Sequence, residues 1–218
     1  MIRGAIFDVD GTLLDSMPIW SCAGERYLRK RGICPEESLG EILFPLSLQE
    51  GAVWLRDHYL PGTPEQEIRE GILGIIGTFY REEVQAKPGM RELLSAFRER
   101  GIPMAAATTG DRKLVEAAFA RLDLGEFFAG VLTADELGTS KREPDIYYAA
   151  ARILGTRPEE TLVVEDVLYA LLTAKRAGFL TAAAEDEASR AEWEEMTAIA
   201  DYRIRSSDIE LSPRIWYD

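Results

Sequence analysis

Residues 4–12, GAIFDVDGT, decide the fold. Gly4–Phe7 is a short apolar run that ends abruptly in Asp8, which is how a strand of an open parallel sheet reads when its C-terminal end carries a ligand site. Asp8 and Asp10 lie two residues apart on extended chain, so both carboxylates can converge on one side. Gly11 lets the backbone turn sharply behind them. Converging carboxylates repel each other unless a cation sits between them, and Mg²⁺, with its preference for hard oxygen ligands, suits such a pair. An ordinary strand-ending turn would also be written Asp-x-Asp-Gly, so the rest of the chain has to decide between the two.

Working outward, the same pattern of apolar run, polar stop and helical stretch recurs at Met104–Ala107, Gly130–Leu132 and Thr161–Val164. That alternation predicts βαβ units and a parallel sheet. Helical periodicity runs through Met90–Arg100, Lys113–Arg121, Ile146–Leu154 and Ala170–Ala177, with Gly155 and Gly178 as stops after the last two. From Ser16 to Ala86 the alternation fails. IWSCAGERYLRKRG, SLQEGAVWLRDHYL and PEQEIREGILGIIGTFYREEV read as successive helices separated by Pro and Gly, an all-α insert after the first strand. Lys87-Pro88-Gly89 marks the return. The expected fold class is α/β, a doubly wound (Rossmann-like) parallel-sheet core from 1–15 and 87–218 with a small all-α domain, 16–86, inserted after the first strand.

The 218 residues suffice for this plan, and 46% hydrophobic with 29% charged residues is an ordinary globular mix. Lys plus Arg is 25 against 38 Asp plus Glu, a net charge of −13 that argues against nucleic acid as a partner. A small anionic substrate stays open, because a bound cation inverts the local field. Cys22 and Cys34 are the only cysteines and form no zinc pattern, so free thiols in a reducing cytoplasm are expected. No apolar stretch approaches the roughly 20 residues that span a bilayer, and no export segment is visible. No heptad or long apolar stripe compels assembly, and a monomer is expected.

The other strand ends carry complementary groups. PMAAATTGD ends in Thr108 and Thr109, a hydroxyl and fresh N–H groups at a helix start, where phosphate is readily held. GTSKREPD offers Lys141 as a point cation, and TLVVEDV ends in a second acidic pair, Glu165-Asp166. Taken singly these are a helix cap, a solvated lysine and another turn. Together they form the inventory of divalent-metal phosphoryl transfer.

DVDGTLLDS, AAATTGD, Lys141 with Pro144-Asp145-x-Tyr147, and VVEDV followed by AKRAG resemble the four motifs of the haloacid dehalogenase-like (HAD) hydrolase superfamily, over about residues 2–207. The insert resembles the α-helical cap of the β-phosphoglucomutase and phosphoglycolate phosphatase branch. The resemblance implies that Asp8 is a nucleophile that becomes an aspartyl-phosphate and that Asp10 is the general acid and then base. It implies Mg²⁺ held by Asp8, the Asp10 carbonyl and Asp166, with Glu165 supporting the metal shell through water. Thr108 and the Thr109 N–H would bind the phosphoryl group, and Lys141 would neutralise charge on it and on the nucleophile.

The chain departs from the family pattern in flanking positions: Arg142 stands for a proline after Lys141, and Val167 and Ala170 follow the acidic pair where Ser and Gly are usual. Trp20 stands where the sugar-phosphate mutases of this branch carry histidine, and the loop FPLSLQEG lacks the basic residue that would grip a second phosphate. The expected activity is therefore Mg²⁺-dependent hydrolysis of a small phosphorylated metabolite; Trp20 reads first as cap packing but is close enough in sequence to the catalytic loop to touch substrate. A phosphomutase is the same-fold alternative. A dehalogenase fits poorly, because carbon–halogen cleavage needs no acid at Asp10. A non-enzymatic phospho-acceptor or interaction protein is the alternative from another class, weakened by the seventy-odd residues given to the insert. His58, Trp54 and the acidic clusters at Arg81–Glu83 and Glu192–Glu195 read as packing or solvated faces.

Overall fold

In the computed structural model, which describes residues 1–43 and 45–205, β1 (Gly4–Phe7) is buried at all four positions. Phe44 of the FPLSLQEG loop and residues 206–207 of the family-like stretch lie outside the described residues. Two-sided burial follows from the alternating faces of the strand. Ile6 joins a cluster with Ala105, Tyr147, Ala150 and Val163, while Phe7 meets the Phe97 ring edge-on at 5.7 Å from the other side.

Five more strands complete an all-parallel sheet: β2 (Met104–Thr108), β3 (Phe128–Thr133), β4 (Thr161–Glu165), β5 (Leu180–Ala184) and β6 (Tyr202–Ile204). Their order is β3-β2-β1-β4-β5-β6. Phe7 pairs in register with Ala106 on one side and Val164 on the other. The chain thus runs outward from β1 to β2 and β3, then crosses back to β4, so the topological switch point falls between β1 and β4, where doubly wound sheets leave a crevice. The Asp8 N–H bonds the Val164 carbonyl at 3.0 Å, carrying the register one residue past β1.

The core helices are α5 (Met90–Glu99), α6 (Arg112–Arg121), α7 (Asp145–Leu154), α8 (Leu168–Arg176) and α9 (Trp193–Ile199). Alanines fill the faces between α7 and the sheet, at 105 and 107 on the strands and 150 and 151 on the helix, so backbones approach closely. α6 starts on Asp111, whose carboxylate accepts the N–H groups of Lys113 at 2.8 Å and Leu114 at 3.2 Å. α7 ends on Gly155 at φ 69°.

The chain divides into two compact units, Ser16–Val84 and the remainder, Met1–Asp15 with the chain from Gln85 onward. The first of these holds α1 (Met17–Lys30), α2 (Leu39–Leu43), α3 (Leu48–His58) and α4 (Glu65–Thr78), followed by one π-helical turn, Phe79–Glu83. Ser47 and Glu50 close a reciprocal capping box at the start of α3. His58 stacks on Trp54 with ring centroids 3.9 Å apart, and its Nδ1 lies 2.8 Å from the Trp54 carbonyl, a packing role. Cys22 and Cys34 are free thiols. No helix among the described residues is long and apolar enough to cross a membrane.

Candidate active site

The ends of β1, β2 and β4 and the loop before α7 bring the polar groups together. Past β1 the chain closes a tight turn: the Leu13 and Leu14 N–H groups bond the Val9 carbonyl at 2.9 and 2.8 Å, and the Gly11 N–H bonds the Leu14 carbonyl at 3.0 Å. Gly11 takes φ 85°, a left-handed value that glycine adopts without strain. This turn presents Asp8 and Asp10. Asp8 is buried, and one of its oxygens, Oδ1, accepts an ion-pair hydrogen bond from the Lys141 ammonium.

Lys141 is also buried, and its Nζ reaches Glu165 Oε1 at 2.7 Å. The solvated-lysine reading is thereby excluded. Burial opposes the ammonium charge, but Asp8 and Glu165 outweigh it and hold the Lys141 pKa above the usual lysine range. Glu165, at the end of β4, takes a further hydrogen bond from the Tyr147 hydroxyl at 2.8 Å. Burial pushes its carboxyl up to about 7, with Lys141 pulling the other way and Asp8 adding to the rise. Asp166 is raised well above the ordinary range for the same leading reason, burial, and then by the charges of Asp8 and Glu165. The Thr12 hydroxyl donates to Asp166 Oδ1 at 3.3 Å.

Oxygens of Asp8, Glu165 and Asp166 all lie within 4.8 Å of one another. Asp8 Oδ2 and Glu165 Oε2 are buried and have no hydrogen-bond partner. Three buried carboxylates facing one ammonium, with two oxygens unsatisfied, are costly in an apolar surrounding and fit a hard divalent cation.

On the other side of the turn, the Thr108 hydroxyl donates to Asp10 Oδ2 at 3.4 Å and accepts the Gly110 N–H at 2.8 Å. Gly110 permits the close approach, since a Cβ there would sit 2.8 Å from Asp10 Oδ2 and one of the two would have to shift. Thr109 is exposed at the end of β2. Trp20 is in the helical unit, 45% exposed, on the rim of an apolar cavity that Leu43, Leu48, Leu55, Ile72 and Ile76 also line.

A sequence model of the haloacid dehalogenase-like hydrolases matches residues 2–178. The chain belongs to this family. Among curated relatives of this haloacid dehalogenase-like hydrolase, hexitol phosphatase A of Escherichia coli (strain K12) is 34% identical over 180 residues, spanning 81% of this chain and 80% of the relative. Phosphoglycolate phosphatase of Rhodobacter capsulatus is 32% identical over 184 residues, with 82% of each chain covered. A candidate β-phosphoglucomutase from Thermotoga maritima has the same fold, with a TM-score of 0.85 at 23% identity over 99% of this chain and 100% of that one. The haloacid dehalogenase-like hydrolase is therefore an enzyme.

Reading the sequence alone misses three residues that touch this site. Tyr147 and Gly110 are there only as members of quoted motifs, with no role of their own, and Lys87 as punctuation before Pro88-Gly89. Tyr147 could have been found from its place on the inward face of α7, four residues before Ala151 and in the same cluster. Lys87 gives no local signal, because its partners Gly11 and Asp186 are 76 and 99 residues away.

Proposed function

We propose that this hydrolase cleaves a small phosphate monoester in two steps through a phosphorylated Asp8. The observation that carries the reading is the state of Asp8: buried, with Oδ1 on the Lys141 ammonium and Oδ2 without a partner. A carboxylate oxygen of Asp8 attacks phosphorus and the ester oxygen leaves, taking a proton from Asp10. Asp10 then removes a proton from water, which attacks the same phosphorus, releases inorganic phosphate and restores Asp8. Thr108, within hydrogen-bond reach of Asp10, and the Thr109 N–H orient the phosphoryl group, and Lys141 offsets charge on its oxygens and on Asp8.

Mg²⁺, held by Asp8, the Asp10 carbonyl and Asp166 with Glu165 supporting through water, would supply further neutralisation of the phosphoryl charge when bound. The unsatisfied oxygens of Asp8 and Glu165 support such a cation. The helical unit serves as a cap that selects the substrate. Supporting this, the chain leaves the core directly after the catalytic turn and re-enters beside its exit, with the Asp15 N–H on the Gln85 carbonyl at 2.9 Å. Trp20 in place of a histidine favours hydrolysis over mutase chemistry. The phosphatase names of the relatives at 34% and 32% identity point the same way, toward small phosphorylated metabolites.

The test is phosphate release from hexitol phosphates, other sugar phosphates, phosphoglycolate and nucleotides, with Mg²⁺ and with EDTA, for the wild type and Asp8→Asn. Release that requires Mg²⁺ and disappears in Asp8→Asn is expected. Release that persists in the variant removes the nucleophile assignment, and equal rates in EDTA remove the metal.

A further inference from the structure

We infer that Lys87 is a positioning residue for the catalytic turn, an inference that rests on the phosphatase reading for its kinetic consequence but not for its structural one. Its side chain is 9% exposed. The ammonium donates to the Gly11 carbonyl at 2.8 Å, the Glu185 carbonyl at 2.5 Å and Asp186 Oδ2 at 2.7 Å, so its three protons are all engaged. The Lys87 main-chain N–H bonds the Leu13 carbonyl at 2.9 Å. One residue therefore grips the turn at two carbonyls, one by backbone and one by side chain.

The anchor at the far end is itself fixed. Asp186 follows β5, is buried, and uses its other oxygen, Oδ1, to accept the Ala188 N–H at 2.8 Å. Gly11 directly follows Asp10, and Thr12, whose hydroxyl meets Asp166, follows Gly11. Holding the Gly11 carbonyl thus fixes the peptide plane between the proposed acid and the threonine on the acidic cluster. Lys141, from the loop between β3 and α7, pairs with Asp8, so the two buried lysines hold separate parts of one site.

Lys87→Met alone leaves Asp186 buried without its cation and threatens the fold. The double variant Lys87→Met/Asp186→Asn removes both charges, and Asn keeps an oxygen for the Ala188 N–H. Positioning predicts that the double variant melts near the wild type, that its kcat falls about tenfold or more with KM within about twofold, and that the Gly11, Leu13 and Leu14 amides exchange hydrogen about tenfold faster or more. A wild-type kcat in the folded double variant overturns the inference. If the wild-type protein releases no phosphate from any ester, the phosphatase reading fails and amide exchange decides alone: faster exchange of the three amides supports the role of Lys87, and unchanged protection overturns it.

Discussion

Replacing Tyr147 by Phe removes one oxygen and nothing else. The ring stays buried and keeps its edge contact with Phe179, centroids 6.1 Å apart, so no cavity opens. What is lost is the 2.8 Å hydrogen bond to Glu165 Oε1, which still receives Lys141 at 2.7 Å. A hydrogen bond to an ionised partner contributes about 1.5–3 kcal/mol, and with Lys141 retained about 2 kcal/mol is the expected loss. For a chain of this size that lowers Tm by about 4–8 °C. The loss has a pH dependence. Burial raises the Glu165 carboxyl to about 7 in the folded protein, above its ordinary value. Ionising Glu165 therefore costs stability as pH rises from the ordinary glutamate range through about 7, and Tyr147, which favours the ionised form, reduces that cost. The Tyr147→Phe deficit should be full near pH 8 and fall to about 1 kcal/mol near pH 5, where the carboxyl is protonated. Thermal melts in EDTA at the two pH values measure it. Equal melting of wild type and variant at pH 8, or a larger deficit at pH 5, would refute this account of Glu165.

Asp10→Asn keeps the oxygen that meets Thr108 but cannot give up or take a proton, so kcat should fall by about 10²–10⁴-fold with the melting temperature nearly unchanged; a smaller loss in steady-state phosphate release removes Asp10 as the acid. Gly110→Ala places a methyl 2.8 Å from Asp10 Oδ2 and 3.1 Å from the Thr108 hydroxyl. The side chains must shift apart, and kcat should fall roughly 10- to 100-fold, whereas wild-type kinetics would show that the close approach is not needed for turnover.

The strand ends were legible because each is a local event: an apolar run meeting a polar stop, at Asp8, Thr108 and Glu165. Observed boundaries move by one or two residues, as at β3, which runs Phe128–Thr133 rather than Gly130–Leu132. β5 was not legible, since Leu180–Ala184 is mostly alanine, a poor strand former that the sheet tolerates because small side chains fit beneath packed helices. β6 has three residues on the sheet edge and α2 has five, both too short for periodicity to register. Lys141 and Lys87 show the other limit. Nothing in GTSKREPD or QAKPGM says that the lysine is buried, because burial is conferred by carboxylates and carbonyls that reach it across the sheet.

The place of β1 in the sheet has a consequence for biosynthesis. β1 is an internal strand made well before either of its sheet neighbours, β2 and β4, which begin at Met104 and Thr161. At about 5–20 residues per second, Gly4–Phe7 waits roughly ten to thirty seconds before its second neighbour has been synthesised. In that interval the helical unit, a compact body within Ser16–Val84, can form from local chain while a wholly apolar strand remains unpaired. Slower elongation anywhere between residues 8 and 161 lengthens the exposure of an open strand edge, so the yield of folded protein should fall when translation is slowed across that stretch.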